Sequence, residues 1–219
     1  VTSGSKPLSL KISEIFFSLQ GEASRAGLPT VFVRLSGCPL RCVWCDTEHA
    51  FSDGRRLTLT QILETVGGYR TRQVCVTGGE PLAQKNCLPL LTALCDAGFE
   101  VCLETSGALD ISAVDARVSR IVDLKAPGSD ESAKNRWANL ALLTMRDELK
   151  FVIKDRADYE WARQTIAEHH LGAICPLLFS PVQGEIDPTA LAEWILADRL
   201  PVRFQLQLHK LLWGNMRGK

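Results

Sequence analysis

At 219 residues the chain suits one domain spanning 1–219, and 46% hydrophobic residues are enough to bury a core, which excludes a disordered chain. Lys plus Arg and Asp plus Glu balance at 25 each, so no basic excess marks a nucleic-acid footprint. No apolar run approaches the about 18 residues that span a bilayer, and no secretory signal pattern opens the chain.

The opening "VTSGSKPLSLK" lacks an initiating Met and is rich in small polar residues, so its first few positions read as a cloning scar or a trimmed end. "TVFVRLSG" from Thr30 is the first predicted strand and ends in glycine. "LTLTQILETVGG" has apolar residues at helical spacing behind a threonine cap, and "QVCVTGG" is a short apolar strand. "LPLLTALCDAG" reads as a helix closed by Gly98, "FEVCLETSG" as a strand, "DISAVDARV" as a short helix and "RIVDLKAPG" as a strand. "DELKFVIK" is a strand, "DYEWARQTIAEHH" an amphipathic helix and "AICPLLFSPV" a strand. "DPTALAEWILADR" opens on Asp187 and Pro188, a cap and first-turn pair, and "PVRFQLQLH" is the last of seven predicted strands.

Continuous apolar strands separated by helices predict an α/β fold with parallel pairing, either a barrel or a doubly wound sheet. The polar and glycine-bearing motifs all fall at strand carboxyl ends: "GCPLRCVWCDT", "TGGEP", "ETSG", "DLKAP", "SPVQGE" and "LHK". In a parallel barrel those ends share one face, where sites are built. Most of the eight cysteines sit within apolar segments, the setting of free thiols in a reducing cytoplasm.

Cys38, Cys42 and Cys45 have C-x3-C-x2-C spacing in a loop short enough for three thiolates to face one point. A cubane cluster has four irons, so three protein thiolates would leave one iron open to a substrate or cofactor. The other reading is structural zinc with a remote fourth ligand, from His49, Cys75 or Cys102. In "TGGEP", two glycines would allow close backbone approach to a ligand, and Glu80 would offer a carboxylate to an ammonium group. Taken alone, the same motif reads better as a tight strand-to-helix turn with Glu80 in the first turn of the helix.

Together, in order and after consecutive strands, the two motifs resemble the radical S-adenosylmethionine (SAM) superfamily. The resemblance implies a [4Fe–4S] cluster on Cys38, Cys42 and Cys45, and SAM held near Trp44, Gly79 and Glu80. It also implies a shortened, partial TIM-like parallel β/α barrel. "SLQGEASRAGLPTVFVRLSGCPLRCVWCDT", "KFVIKDRADYEWA" and "LQLHK" further resemble the 7-carboxy-7-deazaguanine synthase family over essentially the whole chain. This second resemblance implies a lyase acting on 6-carboxy-5,6,7,8-tetrahydropterin with loss of ammonia, in queuosine and deazapurine biosynthesis. Such a lyase would use Mg²⁺ and a flavodoxin or ferredoxin donor, with a homodimer expected.

By the same resemblance, Leu19, Gln20, Gly21, Arg34 and Thr77 are substrate-binding candidates. Glu22 is a candidate edge contact, and Arg34 a candidate bidentate partner for the pterin carboxylate, with a strand arginine in a structural ion pair as the other reading. Thr47 is the implied Mg²⁺ contact, with Asp46 the harder rival ligand. In "DLKAP", some relatives read Ser-Pro-Lys, so the carry-over rests on Lys125, with Asp123 a candidate for a ribose hydroxyl or amine. Glu104, Ser106 and Ser180 are further ribose candidates, each equally readable as a strand-end polar group. His209, expected to end the last strand, is a pterin contact by its match in "LQLHK". Some relatives stop soon after this point, whereas this chain continues with "LLWGNMRGK". His169 and His170 read as helix-end dipole partners. Cys75, Cys87, Cys95, Cys102 and Cys175 are not clustered as a second iron–sulfur site would require. A glycyl-radical activase and a non-catalytic zinc module are the competing functions.

Overall fold

The computed structural model describes residues 7–219; the "VTSGSK" positions read as a scar or trimmed end lie outside them. One nine-stranded sheet runs in the order β3-β1-β2-β4-β5-β6-β7-β8-β9. Its strands are β1 (Ser9–Leu19), β2 (Pro29–Leu35), β3 (Arg55–Thr58), β4 (Gln73–Gly78) and β5 (Glu100–Thr105). β6 (Ser119–Leu124), β7 (Glu148–Ile153), β8 (Leu177–Pro181) and the two-residue β9 (Arg203–Phe204) complete it. From β2 onward the spatial neighbours β2, β4, β5, β6, β7, β8 and β9 all pair in parallel. This is the parallel core of a partial barrel. At the other edge β1, a strand the sequence did not reveal, pairs antiparallel with both β2 and β3.

The helices form where caps and apolar spacing coincide. α1 (Leu59–Gly67) starts in a capping box in which Thr58 and Gln61 satisfy each other's backbone donors. α2 is Cys87–Asp96, and Gly98 follows it at φ +84°, the left-handed conformation of the C′ position. α3 (Arg156–Glu168) is capped by Asp155, and α4 (Pro188–Asp198) by Asp187 with Pro188 in its first turn. "DISAVDARV" is not a helix but a pair of turns. The Asp110 and Asp115 carboxylates accept from the backbone N–H groups of Ser112 (2.8 Å) and Arg117 (3.0 Å), which offers the backbone an alternative to helical bonding. "PVRFQLQLH" is also corrected: it leaves the sheet after Phe204, and His209 lies in a short helix, α5 (Leu208–Trp213).

Alternation along the strands makes two cores. Val33 and Leu35, Val76, Leu103, Val122, Phe151 and Phe179 point to the helices and join Ile62, Leu90, Ile166 and Leu191 in the main cluster. On the opposite face Phe32, Cys75, Cys102, Ile121 and Leu178 form a small apolar cluster. Two residues further along each of these strands stand Arg34, Thr77, Glu104, Asp123 and Ser180, in that order. The interior is thus an apolar floor with a polar layer above it, toward the strands' carboxyl ends.

Candidate active site

Above this polar layer opens a cavity of about 260 Å³. Every candidate contact for the iron–sulfur cluster, SAM, Mg²⁺ or substrate lines it, Glu80 excepted, whereas the candidate fourth zinc ligands His49, Cys75 and Cys102 do not. Cys38, Cys42, Trp44, Cys45 and Thr47 come from the loop after β2, and Leu19 to Glu22 come from the end of β1. Gly79, Ser106, Lys125 and Ser180 come from the ends of β4, β5, β6 and β8. His209 reaches in from α5.

The cysteine loop is fixed from several sides. Gly37 donates its N–H to the Ala50 carbonyl at 2.7 Å, and Glu80 donates its own to the Gly37 carbonyl at 2.8 Å. Arg41 donates to the carbonyls of Cys38 (2.8 Å) and Leu40 (2.6 Å) and stacks on Phe51 at 4.2 Å. The glycines of "TGG" serve this packing. A Cβ on Gly79 would stand 2.4 Å from the Gly37 oxygen and 2.7 Å from the Cys38 Cβ, and one on Gly78 would meet the Leu35 oxygen at 2.3 Å. The close approach that Gly79 permits is to the cysteine loop, and the one that Gly78 permits is to the end of β2.

Glu80 is fully buried, and its carboxylate accepts from Leu82 N–H (2.9 Å), the Thr105 hydroxyl (2.9 Å) and Ser106 N–H (2.7 Å). The residue read from the sequence as a partner for an ammonium group is here engaged by these three donors. It joins the turn after β4 to the end of β5.

The substrate-side candidates interlock. Glu104 accepts from Gln20 (3.2 Å) and Thr77 (2.9 Å), fixing both side chains. Arg34 uses Nε for Glu14 at 2.8 Å, so its two terminal nitrogens keep donors for another carboxylate. The chain's two ends meet here: Leu208 donates to the Gly21 carbonyl at 2.9 Å, and a Cβ on Gly21 would lie 2.1 Å from His209 Nδ1. Burial lowers the His209 pKa even though Glu22 and Asp46 favour its cation, so the ring is neutral at pH 7.

Sequence reasoning missed Lys150, Gln207 and Lys210 as cavity residues. Lys150 lies 2.8 Å from Glu22 and 3.7 Å from Asp123, and Lys210 pairs with Asp46 at 2.7 Å. Burial would raise the Asp46 pKa, but Lys210 and the Thr47 hydroxyl, at 2.9 Å, outweigh it and hold the carboxyl well below the usual range. The signal for Lys150 was present in "ELKFVI", where Glu148, Lys150 and Val152 alternate with Leu149, Phe151 and Ile153. His49 instead contacts Glu14 at 3.3 Å, and His169 stacks on Trp137 at 4.8 Å.

The family model described as the radical SAM superfamily matches residues 32–170. A 7-carboxy-7-deazaguanine synthase of Chlorobaculum tepidum is 48% identical over 213 residues, which cover 95% of this chain and 97% of that protein. The chain belongs to the 7-carboxy-7-deazaguanine synthase family. A second member, from Koribacter versatilis, is 42% identical over 93% of this chain and 97% of its own length. The solved structure titled "Crystal structure of QueE from Escherichia coli" superposes with a TM-score of 0.76 at 26% identity, covering 92% of this chain and 95% of that one. Family membership favours neither the activase nor the zinc module.

The superfamily works with a [4Fe–4S] cluster and SAM, and the donor set here fits both. The three cysteines of the loop are free, half-buried and on the cavity wall. Burial raises the pKa of each thiol, and Lys125 acts against that at all three. Among the described residues, no three His, Cys, Asp or Glu side chains converge on a point that one ion could occupy. A zinc ion needs its sulfurs about 2.3 Å from one point, whereas cubane cysteines each bind a different iron and stand wider apart. For SAM, Asp123 Oδ1 is buried with no partner among the described residues, an acceptor that a ligand hydroxyl or amine would satisfy.

Proposed function

We propose that the chain is a carbon–nitrogen lyase that converts 6-carboxy-5,6,7,8-tetrahydropterin to 7-carboxy-7-deazaguanine with loss of ammonia, in queuosine and deazapurine biosynthesis. The observation that carries it is the meeting of the β1 end, Arg34 and His209 in one cavity with the cysteine loop, in a chain whose relatives of that name match it almost end to end. The cluster and SAM, when held there, would supply the one-electron, hydrogen-abstracting chemistry of the reaction.

Cys38, Cys42 and Cys45 would hold the cluster, and Trp44, Gly79, Ser106, Asp123, Lys125 and Ser180 would surround SAM. Glu80 would contribute by holding the Ser106 segment in place. Arg34 would take the pterin carboxylate with its free guanidinium nitrogens. Leu19, Gln20, Gly21, Glu22, Thr77 and the neutral His209 would bind the ring, with Glu104 orienting Gln20 and Thr77. Thr47, beside Asp46, would contribute one oxygen to a Mg²⁺ that takes its others from water and substrate. These groups would aim one ring hydrogen and exclude water.

We extend the reading to a single domain working in a reducing cytoplasm as a homodimer, with a flavodoxin or ferredoxin donor. The eight free cysteines support the compartment, and no helix among the described residues is long and apolar enough to cross a membrane. The test is anaerobic incubation of reconstituted protein with the carboxypterin, SAM, Mg²⁺ and a reductant. The expected result is ring-contracted product, lost together with the cluster absorbance in Cys42→Ala. SAM cleavage without that product would overturn the substrate.

A further inference from the structure

Lys150 is the one lysine in the apolar run of β7, and its register partner on β6 is Asp123. Side by side on adjacent parallel strands, the two project into the same interior layer. Lys150 Nζ lies 2.8 Å from Glu22 Oε2 and 3.7 Å from Asp123 Oδ2. Glu22 belongs to the wall assigned above to the pterin, and Asp123 to the wall assigned to SAM. One ammonium therefore spans both.

The remaining contacts restrict what each group can do. Glu22 Oε1 is held by Gln207 Nε2 at 2.6 Å, just before α5 and His209, so the carboxylate is oriented at both oxygens. Asp123 Oδ2 also accepts from Lys125 at 2.9 Å, while Oδ1 has no partner among the described residues. The Lys150 side chain is only 15% exposed. Burial would strip its proton, but Glu22, Asp123 and then Glu104 outweigh it and raise its pKa, which makes it a fixed cation rather than a proton donor.

We propose that Lys150 is a positioning residue that couples the two halves of the site, orienting Glu22 toward substrate and tying it to the SAM-facing Asp123. This rests on the proposed assignment of the two walls. Asp123 has a second cation in Lys125, whereas Glu22 has none besides Lys150 among the described residues. Loss of Lys150 therefore falls first on the pterin wall. Because the same ammonium reaches Asp123, occupancy of one wall changes the field felt by the other, and such coupling is reciprocal between the two ligands.

The test uses cluster-loaded full chain without reductant, so that equilibrium binding is read and no turnover occurs. Calorimetry gives the Kd of 6-carboxytetrahydropterin with and without SAM, and of SAM with and without the pterin. In the unaltered protein each ligand should tighten the other by about tenfold, by the same factor both ways. Lys150→Met should weaken the pterin about tenfold or more and bring the coupling factor close to one. Lys150→Arg should retain most of the coupling, and Lys150→Gln, a polar replacement, serves where the Met variant does not fold. A lowered Tm with Kd and coupling within about twofold of the unaltered protein would make this a structural ion pair and overturn the proposal. Absence of coupling in the unaltered protein would overturn it as well. Unaltered protein that binds SAM but no pterin would instead refute the substrate reading, and this proposal with it.

Discussion

Ser106 donates both its backbone N–H, at 2.7 Å, and its hydroxyl, at 2.5 Å, to the same carboxylate oxygen of Glu80. Thr105 adds its hydroxyl, and the N–H of Leu82 caps the other oxygen. A carboxylate with no solvent exposure is thereby surrounded by donors supplied from two strand ends. The arrangement is a clasp across β4 and β5, placed directly behind the cysteine loop through the Glu80 N–H to Gly37 carbonyl bond.

The clasp makes Glu80→Gln primarily a stability variant. An amide places two N–H donors among groups that are themselves donors, leaving at least one of them unsatisfied and buried. The expected loss is about 1–3 kcal/mol, read as a lower urea midpoint with an unchanged m-value. A variant of unaltered stability that no longer binds SAM would show the carboxylate to be a ligand group instead.

Gly79→Ala tests the contact between "TGGEP" and the cysteine loop. The added Cβ meets backbone at Gly37 and the Cys38 Cβ, neither of which can swing aside as the end of a long side chain does. Overpacking of this kind costs about 1–3 kcal/mol, and here the strain falls on the loop that presents three thiols. Iron and sulfide per chain after reconstitution should drop well below the unaltered protein. Full cluster loading with normal stability would show that the loop tolerates the shift.

Arg34→Lys separates charge from geometry. Lysine can keep the pairing with Glu14, but it has a single ammonium where arginine holds two further nitrogens in a planar fork. Affinity for the pterin should fall by about tenfold or more, with SAM binding unchanged, as measured by calorimetry on unreduced protein. An unaltered pterin Kd would assign Arg34 to the Glu14 pair alone.

Much of this site was legible because its chemistry is carried by short local motifs. The cysteine loop, "TGGEP", "LQG" and "LHK" all stand in the linear sequence; parallel pairing of β2 and β4 sets the first two side by side, while "LQG" arrives from antiparallel β1 and "LHK" from α5. What was not legible depends on register or on competition between partners. Lys150 becomes a site residue only once β7 is set beside β6 with Lys150 opposite Asp123. Glu80 looks available until Thr105 and Ser106 arrive from the next strand. The β1 segment "SLKISEIFFSL" was overlooked because its alternation breaks at a bulge between Ile12 and Glu14, where the pairing with β2 shifts register. "PVRFQLQLH" alternates as a strand should, yet the chain bends away after Phe204. Gln205 spends its side chain on Ser180 (2.9 Å) and on the Ala23 N–H (2.8 Å), tying the segment to β8 and the β1–β2 turn.

The helix that replaces the end of that strand gives a pH signature. His209 packs against Gly21 so closely that no side chain fits there, and burial lowers its pKa below the ordinary 6.5 against the pull of Glu22 and Asp46. Because the folded-state pKa lies below the unfolded one, the unfolded chain takes up the proton first on acidification. The contribution of neutral His209 is therefore fully present above about pH 6.5 and is lost as pH falls through the lower folded-state value. His209→Gln removes that titration. The Tm of the unaltered protein minus that of the variant should stay level from about pH 8 to about 6.5 and shrink as pH is lowered from there toward 5, measured by calorimetric scans in matched buffers. A difference that stays constant over this range would mean that His209 titrates alike in the folded and unfolded chains, and that the α5 contact with Gly21 does not bury it.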